Sequence, residues 1–209
     1  MTVQLVFVDG IGGRRIYRNA FFSHFGAKGH ICHYFDYRPS RESLGQIQGR
    51  LREMLQTVAQ DGPYALVAYS FGGVLCRMSL DELGANEQPA HLFLIASPAR
   101  ALQLCQRVAK WAIFRILIGE CGQLVASDIK MAEIGFSPMP TTCLYGTKGR
   151  FGPLSFLSSA PGDGMVSVVE AGPDLYADSV AQDTSHPFIA TSQATIELVS
   201  ARLAGLGIM

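Results

Sequence analysis

No two cysteines in this 209-residue chain stand in C-x-x-C spacing, and their number is odd: Cys32, Cys76, Cys105, Cys121 and Cys143. That excludes zinc-knuckle and dithiol redox motifs. Four of the five lie in apolar stretches and Cys121 in a glycine-flanked turn. All are expected to be reduced, mostly buried thiols of a cytoplasmic protein, acting as small hydrophobic fillers. Net charge is missing as well. Lys+Arg and Asp+Glu both number 17, which leaves no basic footprint for nucleic acid. There is no long uncharged apolar run. The most membrane-like stretch, residues 101–118, contains Arg107, Lys110 and Arg115, and charges near the middle of a span are costly. It reads as an amphipathic helix without stable membrane insertion. Nor does the chain open on a cationic leader with a small-residue cleavage site, since Met1-Thr2 lead directly into the apolar residues 3–8.

What is present is 48% hydrophobic and 16% charged, with mean hydropathy +0.21. This suits a single domain over residues 1–209 with a sizeable core. Short apolar runs at residues 3–8, 31–35, 64–68, 92–95 and 142–145, with a weaker sixth at 179–181, alternate with helical patterns. Continuous apolar strands separated by helices predict an α/β fold, a mostly parallel sheet of about six strands covered on both faces. The clearest helix is residues 43–59. Leu44, Ile47, Leu51, Met54, Leu55 and Val58 share one face, and Ser43 with Gln46 forms a capping box. Residues 99–138 exceed an ordinary connection and are expected to form a helical, lid-like insertion.

Ala68-Tyr69-Ser70-Phe71-Gly72 falls where a buried strand meets a helix. A serine in a sharp turn there, with small residues two places before and after, fits a nucleophile elbow. A capping serine on an ordinary turn is the plain alternative. A hydrolytic serine needs a base. Of the two histidines that follow Ser70, His91 opens a strand and is expected at the surface, while His186 stands in a loop before the last helix. The orienting acid should lie between Ser70 and His186. Asp163, between Gly162 and Gly164, fits best; Asp178 is next, and Glu170, Asp174 and Asp183 are further competitors. Backbone N–H groups of Phe71 and of Ile11, in the turn Gly10-Ile11-Gly12-Gly13, could form an oxyanion hole. That turn lacks both the Walker spacing and the G-x-G-x-x-G register, so no nucleotide cofactor is expected.

Together, residues 6–13, 68–73, 162–166 and 184–186 resemble the α/β-hydrolase superfamily, and among its members the small lipase- and esterase-like ones. The resemblance spans the chain in the order Ser…Asp…His. It implies a serine hydrolase without cofactor or metal, acting on a small-molecule acyl ester through Ser70, Asp163 and His186, on a reduced version of the fold. A thioesterase or amidase with the same residues, or a non-catalytic binding protein on this fold, are the alternatives. Such relatives commonly have His-Gly where this chain has Asp9-Gly10. Asp9 is expected to turn away from the site and pair with backbone N–H groups or with Arg14 or Arg15. Residues 101–118 are apolar around most of the helix, so they either cover an apolar cleft or belong to the core. If they form a lid, Trp111 and Phe114 are the substrate-binding candidates.

Overall fold

Strands whose every residue is buried need helices on both faces, and that requirement shapes the chain. The computed structural model describes residues 2–136, 139–149 and 160–206. Six strands are β1 (Gln4–Val8), β2 (Ile31–Phe35), β3 (Tyr64–Tyr69), β4 (His91–Ile95), β5 (Thr141–Gly146) and β6 (Asp178–Gln182). They form one sheet in the order β2-β1-β3-β4-β5-β6, every pair parallel. The helices are α1 (Asn19–Ala27), α2 (Leu44–Gln60), α3 (Phe71–Leu80), α4 (Gln103–Val108), α5 (Ala112–Val125), α6 (Asp128–Glu133), α7 (Val168–Ala171), α8 (His186–Ile189) and α9 (Gln193–Gly205).

The period of two in the strands divides the core. Val6, Val8, Leu66, Ala68, Leu92 and Leu94 face α2, α3 and the helices of the insertion. Leu5, Phe7, Ala65, Val67, Phe93 and Ile95 face α1 and α9. In α2, Ile47, Leu51, Leu55 and Val58 are buried, each contributing roughly 1.5–3 kcal/mol. The capping box is present: Gln46 N donates to Ser43 Oγ at 3.2 Å and Ser43 N to Gln46 Oε1 at 2.9 Å.

Three local expectations need correction. Residues 101–118 are not one helix. α4 and α5 are separate, with Trp111 extended at ψ 128° between them. An apolar run with only a narrow polar stripe holds no single helical phase over its length. α5 itself bends at Gly119 (φ 55°, ψ −142°), where a Cβ would lie 2.5 Å from the Pro39 carbonyl oxygen. Cys121 lies inside α5 and is buried, rather than in a turn. His91 is buried rather than at the surface. Its Nε2 donates to Thr142 Oγ at 2.8 Å, and that hydroxyl donates in turn to Asp178 Oδ2 at 2.7 Å.

β1 lies between β2 and β3, so the chain order reverses there. The loops after β1 and β3 therefore diverge at the carboxyl edge of the sheet, where ligands bind in open α/β sheets.

Candidate active site

Ser70 occupies the turn between β3 and α3 with φ 53° and ψ −127°. A non-glycine residue in that region carries strain of about 1–3 kcal/mol. Two close approaches hold it there. Ser70 N donates to Ile95 O at 2.9 Å, tying the turn to β4. A Cβ on Gly72 would collide with the carbonyl oxygens of Val8 and Asp9, so α3 starts directly against the end of β1 only because position 72 has no side chain.

His186, the first residue of α8, is buried, and its Nε2 lies 3.0 Å from Ser70 Oγ. Its Nδ1 lies 2.7 Å from Asp163 Oδ2. A carboxylate can only accept, so Nδ1 carries the proton, and Nε2 accepts from the serine hydroxyl. Asp163 is fully buried, and its other oxygen accepts from Met165 N (2.9 Å) and Val166 N (2.8 Å). Gly164, at φ 98°, makes that turn possible. His186 N donates to the Asp163 carbonyl at 3.0 Å, so the two loops are joined by backbone as well.

The competing carboxylates are engaged elsewhere. Asp178 receives two bonds from Arg202, at 2.8 and 3.0 Å, and Asp174 pairs with Arg100. Glu170 accepts from Gln103 N and Ser167 N. Asp183 is exposed.

Gly13 N donates to Gly10 O at 3.0 Å, closing the turn over Ile11 and Gly12, with Gly12 at φ 75°. A Cβ on Gly10 would lie 3.0 Å from that of Ser70. Among the described residues, the backbone N–H groups of Ile11 and Phe71 donate to no protein acceptor.

Asp9 is fully buried and turned from the cleft, but its cation is Arg18 rather than Arg14 or Arg15. Arg18 Nη2 and Nε reach its two oxygens at 2.7 and 3.0 Å, Tyr34 Oη donates at 2.8 Å and Gly10 N at 2.7 Å. Arg18 also stacks over the Tyr69 ring, 4.5 Å from its centroid. Burial pushes the Tyr69 phenol well above its ordinary range. It remains a donor, to the His186 carbonyl at 2.8 Å. Sequence reasoning missed Arg18, Tyr34 and Tyr69. Only Tyr69, inside the elbow motif with an apolar ring and a polar tip, offered a signal.

Ser70 and His186 open into a cleft of about 740 Å³ whose walls include Ile11, Phe71, Leu102, Val108, Phe114, Ile118 and Met165. Phe114 lines it; Trp111 does not, and stands half exposed at the start of α5. Cys105 is also on the wall, but burial pushes its thiol up to about 12, which leaves it inert at neutral pH. Among the described residues no group of three or more His, Cys, Asp or Glu could hold a metal ion.

No protein-family model and no curated protein matches the sequence. In three dimensions the chain is similar to the mature form of lipase BlEst2 from Bacillus licheniformis, with 20% identity and TM-score 0.78 over 96% of this chain and 91% of that one. It is also similar to phospholipase PlaB from Legionella pneumophila (16% identity, TM-score 0.65, 82% of this chain and 46% of that one). A third similar structure is human thioesterase 2 (17% identity, TM-score 0.54, 99% and 96%). At these identities the likeness is one of fold.

Proposed function

The chain has the α/β-hydrolase fold, and from that premise we propose that it is a serine hydrolase cleaving carboxylic acyl esters through an acyl-enzyme. One observation carries the reading: Ser70 Oγ, the His186 ring and the Asp163 carboxylate form an unbroken hydrogen-bonded line at 3.0 and 2.7 Å. Ser70 Oγ attacks the ester carbonyl carbon as its proton passes to His186 Nε2. Asp163 holds the tautomer and stabilises the imidazolium. The carbonyl oxygen, now anionic, is held by the N–H groups of Ile11 and Phe71 at the start of α3, where the helix end favours negative charge. Collapse breaks the C–O bond to the alcohol, which leaves with the proton from Nε2. Water then attacks the acyl-enzyme, giving its proton to His186, and the acid departs as that proton returns to Ser70.

Asp9 takes no part in this chemistry. Arg18 neutralises it, so no uncompensated charge faces the developing oxyanion. The apolar walls of the cleft support an apolar acyl group, with Phe114 against it, and the five unpaired thiols suit a reducing, cytoplasmic compartment. Thioesters would present the same carbonyl to the same groups.

The test is labelling by a fluorophosphonate. The wild type should be labelled and should turn over p-nitrophenyl esters. Ser70→Ala should lose labelling and on the order of 10⁴-fold or more in rate. A folded wild-type protein that takes no label and cleaves neither ester nor thioester would leave a binding protein on a hydrolase fold.

A further inference from the structure

Four large apolar side chains at the start of the insertion's longest helix point away from the protein. Trp111, Ile113, Ile116 and Leu117 are 50, 65, 69 and 55% exposed, while Phe114 and Ile118 on the same turns line the cleft. The first two turns of α5 are thus apolar inside and out. On another part of the rim, Ile16 and Tyr17 are 66 and 59% exposed, and Tyr17 lines the same cleft. The charges among these residues have one sign. Arg14 and Arg15 precede Ile16, Lys110 precedes Trp111, and Arg115 lies within the exposed turns; residues 10–30 and 101–119 contain no Asp or Glu. In a chain of zero formal net charge, the two segments beside the cleft mouth are therefore purely basic.

We propose that this rim is a peripheral docking surface for a bilayer containing anionic lipid. Exposed apolar residues rimmed by cations, with a Trp and a Tyr among them, match the composition of helices that lie in a membrane interface. A second copy of the chain is a poorer occupant, because a two-fold contact through this rim would bring cations against cations. The contact is peripheral: among the described residues no helix is long and apolar enough to cross a membrane. Docked this way, the cleft mouth faces the lipid. That lipid-borne acyl esters then reach Ser70 rests on the catalytic reading above; the docking does not.

Trp111 is the sole tryptophan, so its fluorescence reports on the rim directly. The experiment adds vesicles of phosphatidylcholine, with or without 30% phosphatidylserine, to full-length Ser70→Ala protein, so that no turnover is involved. The expected result is a blue shift and co-sedimentation with the anionic vesicles, weakened by salt. Lys110→Gln/Arg115→Gln should lower vesicle affinity about 25-fold, at roughly fivefold per cation. Ile116→Ser/Leu117→Ser should lower it at least tenfold, and the same two double variants made with Ser70 intact should retain wild-type hydrolysis of a soluble acetyl ester. The proposal is overturned by any of three outcomes: no shift with either vesicle; equal binding to both, indifferent to salt and to the charge variants; or a concentration-dependent dimer that Ile116→Ser/Leu117→Ser dissolves. Failure of fluorophosphonate labelling would sink the catalytic reading and leave this measurement untouched.

Discussion

Tyr69 donates its hydroxyl to the backbone carbonyl of His186 at 2.8 Å, with the two rings 5.2 Å apart. The residue preceding Ser70 therefore fixes the loop that bears His186. Arg18 stacks on that ring and is itself held by Asp9, whose carboxylate also anchors Gly10 N. One chain of contacts connects the glycine turn to the histidine.

Tyr69→Phe keeps the ring and removes the donor. A buried carbonyl left without its partner costs about 1–3 kcal/mol, and His186 gains freedom. The expected result is a kcat reduced several-fold to tenfold with KM within twofold, and a lower melting temperature. A change confined to KM would mean that Tyr69 touches substrate rather than positions the base.

Asp163→Asn should reduce kcat on the order of 10⁴-fold, through loss of the correct imidazole tautomer, while Asp178→Asn should leave kcat within twofold. Steady-state kinetics on one soluble ester decides between them. A larger loss at Asp178 would move the acid there.

Asp178 should instead show in stability. Hydrogen bonding from Arg202 holds its carboxyl below the usual range, with burial opposing. A depressed folded-state pKa contributes stability that is complete above the unfolded value of about 3.9 and is lost as pH falls through the folded one. Asp178→Asn should therefore melt below wild type at pH 7, with the gap closing only under more acid conditions than pH 3.9. A gap that stays constant down to complete protonation would remove the linkage.

The buried Asp9–Arg18 pair predicts a strongly non-additive cycle. Asp9→Asn leaves an uncompensated buried guanidinium and should cost about 3–5 kcal/mol in urea unfolding. Asp9→Leu/Arg18→Met should cost less than the sum of its single variants. Additive losses would mean that the pair is not coupled. In the surviving folded fraction of Asp9→Asn, most of the activity should persist.

Phe114→Ala should reduce kcat/KM for decanoyl esters at least tenfold more than for acetyl esters, because Phe114 lines the cleft. Trp111→Ala, outside the lining, should change that ratio less than twofold. Equal ratios for both variants would return residues 101–118 to a purely structural role.

Much of this was legible because local chemistry left few choices. Ser70 needed small neighbours, and Gly72 meets backbone where any side chain would collide. Asp163 needed a turn that Gly164 alone makes easy. The central buried strands announced a parallel sheet by their unbroken apolar runs, whereas Asp178–Gln182, polar at both ends and mostly not buried, gave only a weak signal. What stayed hidden depended on distant partners. His91 is buried because Thr142, 51 residues later, supplies its hydrogen bond. Arg18 rather than Arg14 or Arg15 meets Asp9 because a short 3-10 turn over Arg15–Arg18 directs it inward. The break at Trp111 had no marker, since a segment apolar on most sides gives the eye no stripe to follow.

The placement of these groups has a consequence for how the protein comes to life. The turn at Gly10 follows β1, Ser70 follows β3, and His186 follows β6, the outermost strand at one edge of the sheet. By the end of β4 the chain already contains the turn at Gly10 and Ser70, yet His186 follows only after β6. If the proposed function holds, esterase activity during refolding should appear with the docking of the last strand and not with the earlier burial of the core, a late event in a topology built from distant contacts. On the proposed serine-hydrolase reading, chain order alone would keep a molecule that lacks β6 and His186 from hydrolysing esters.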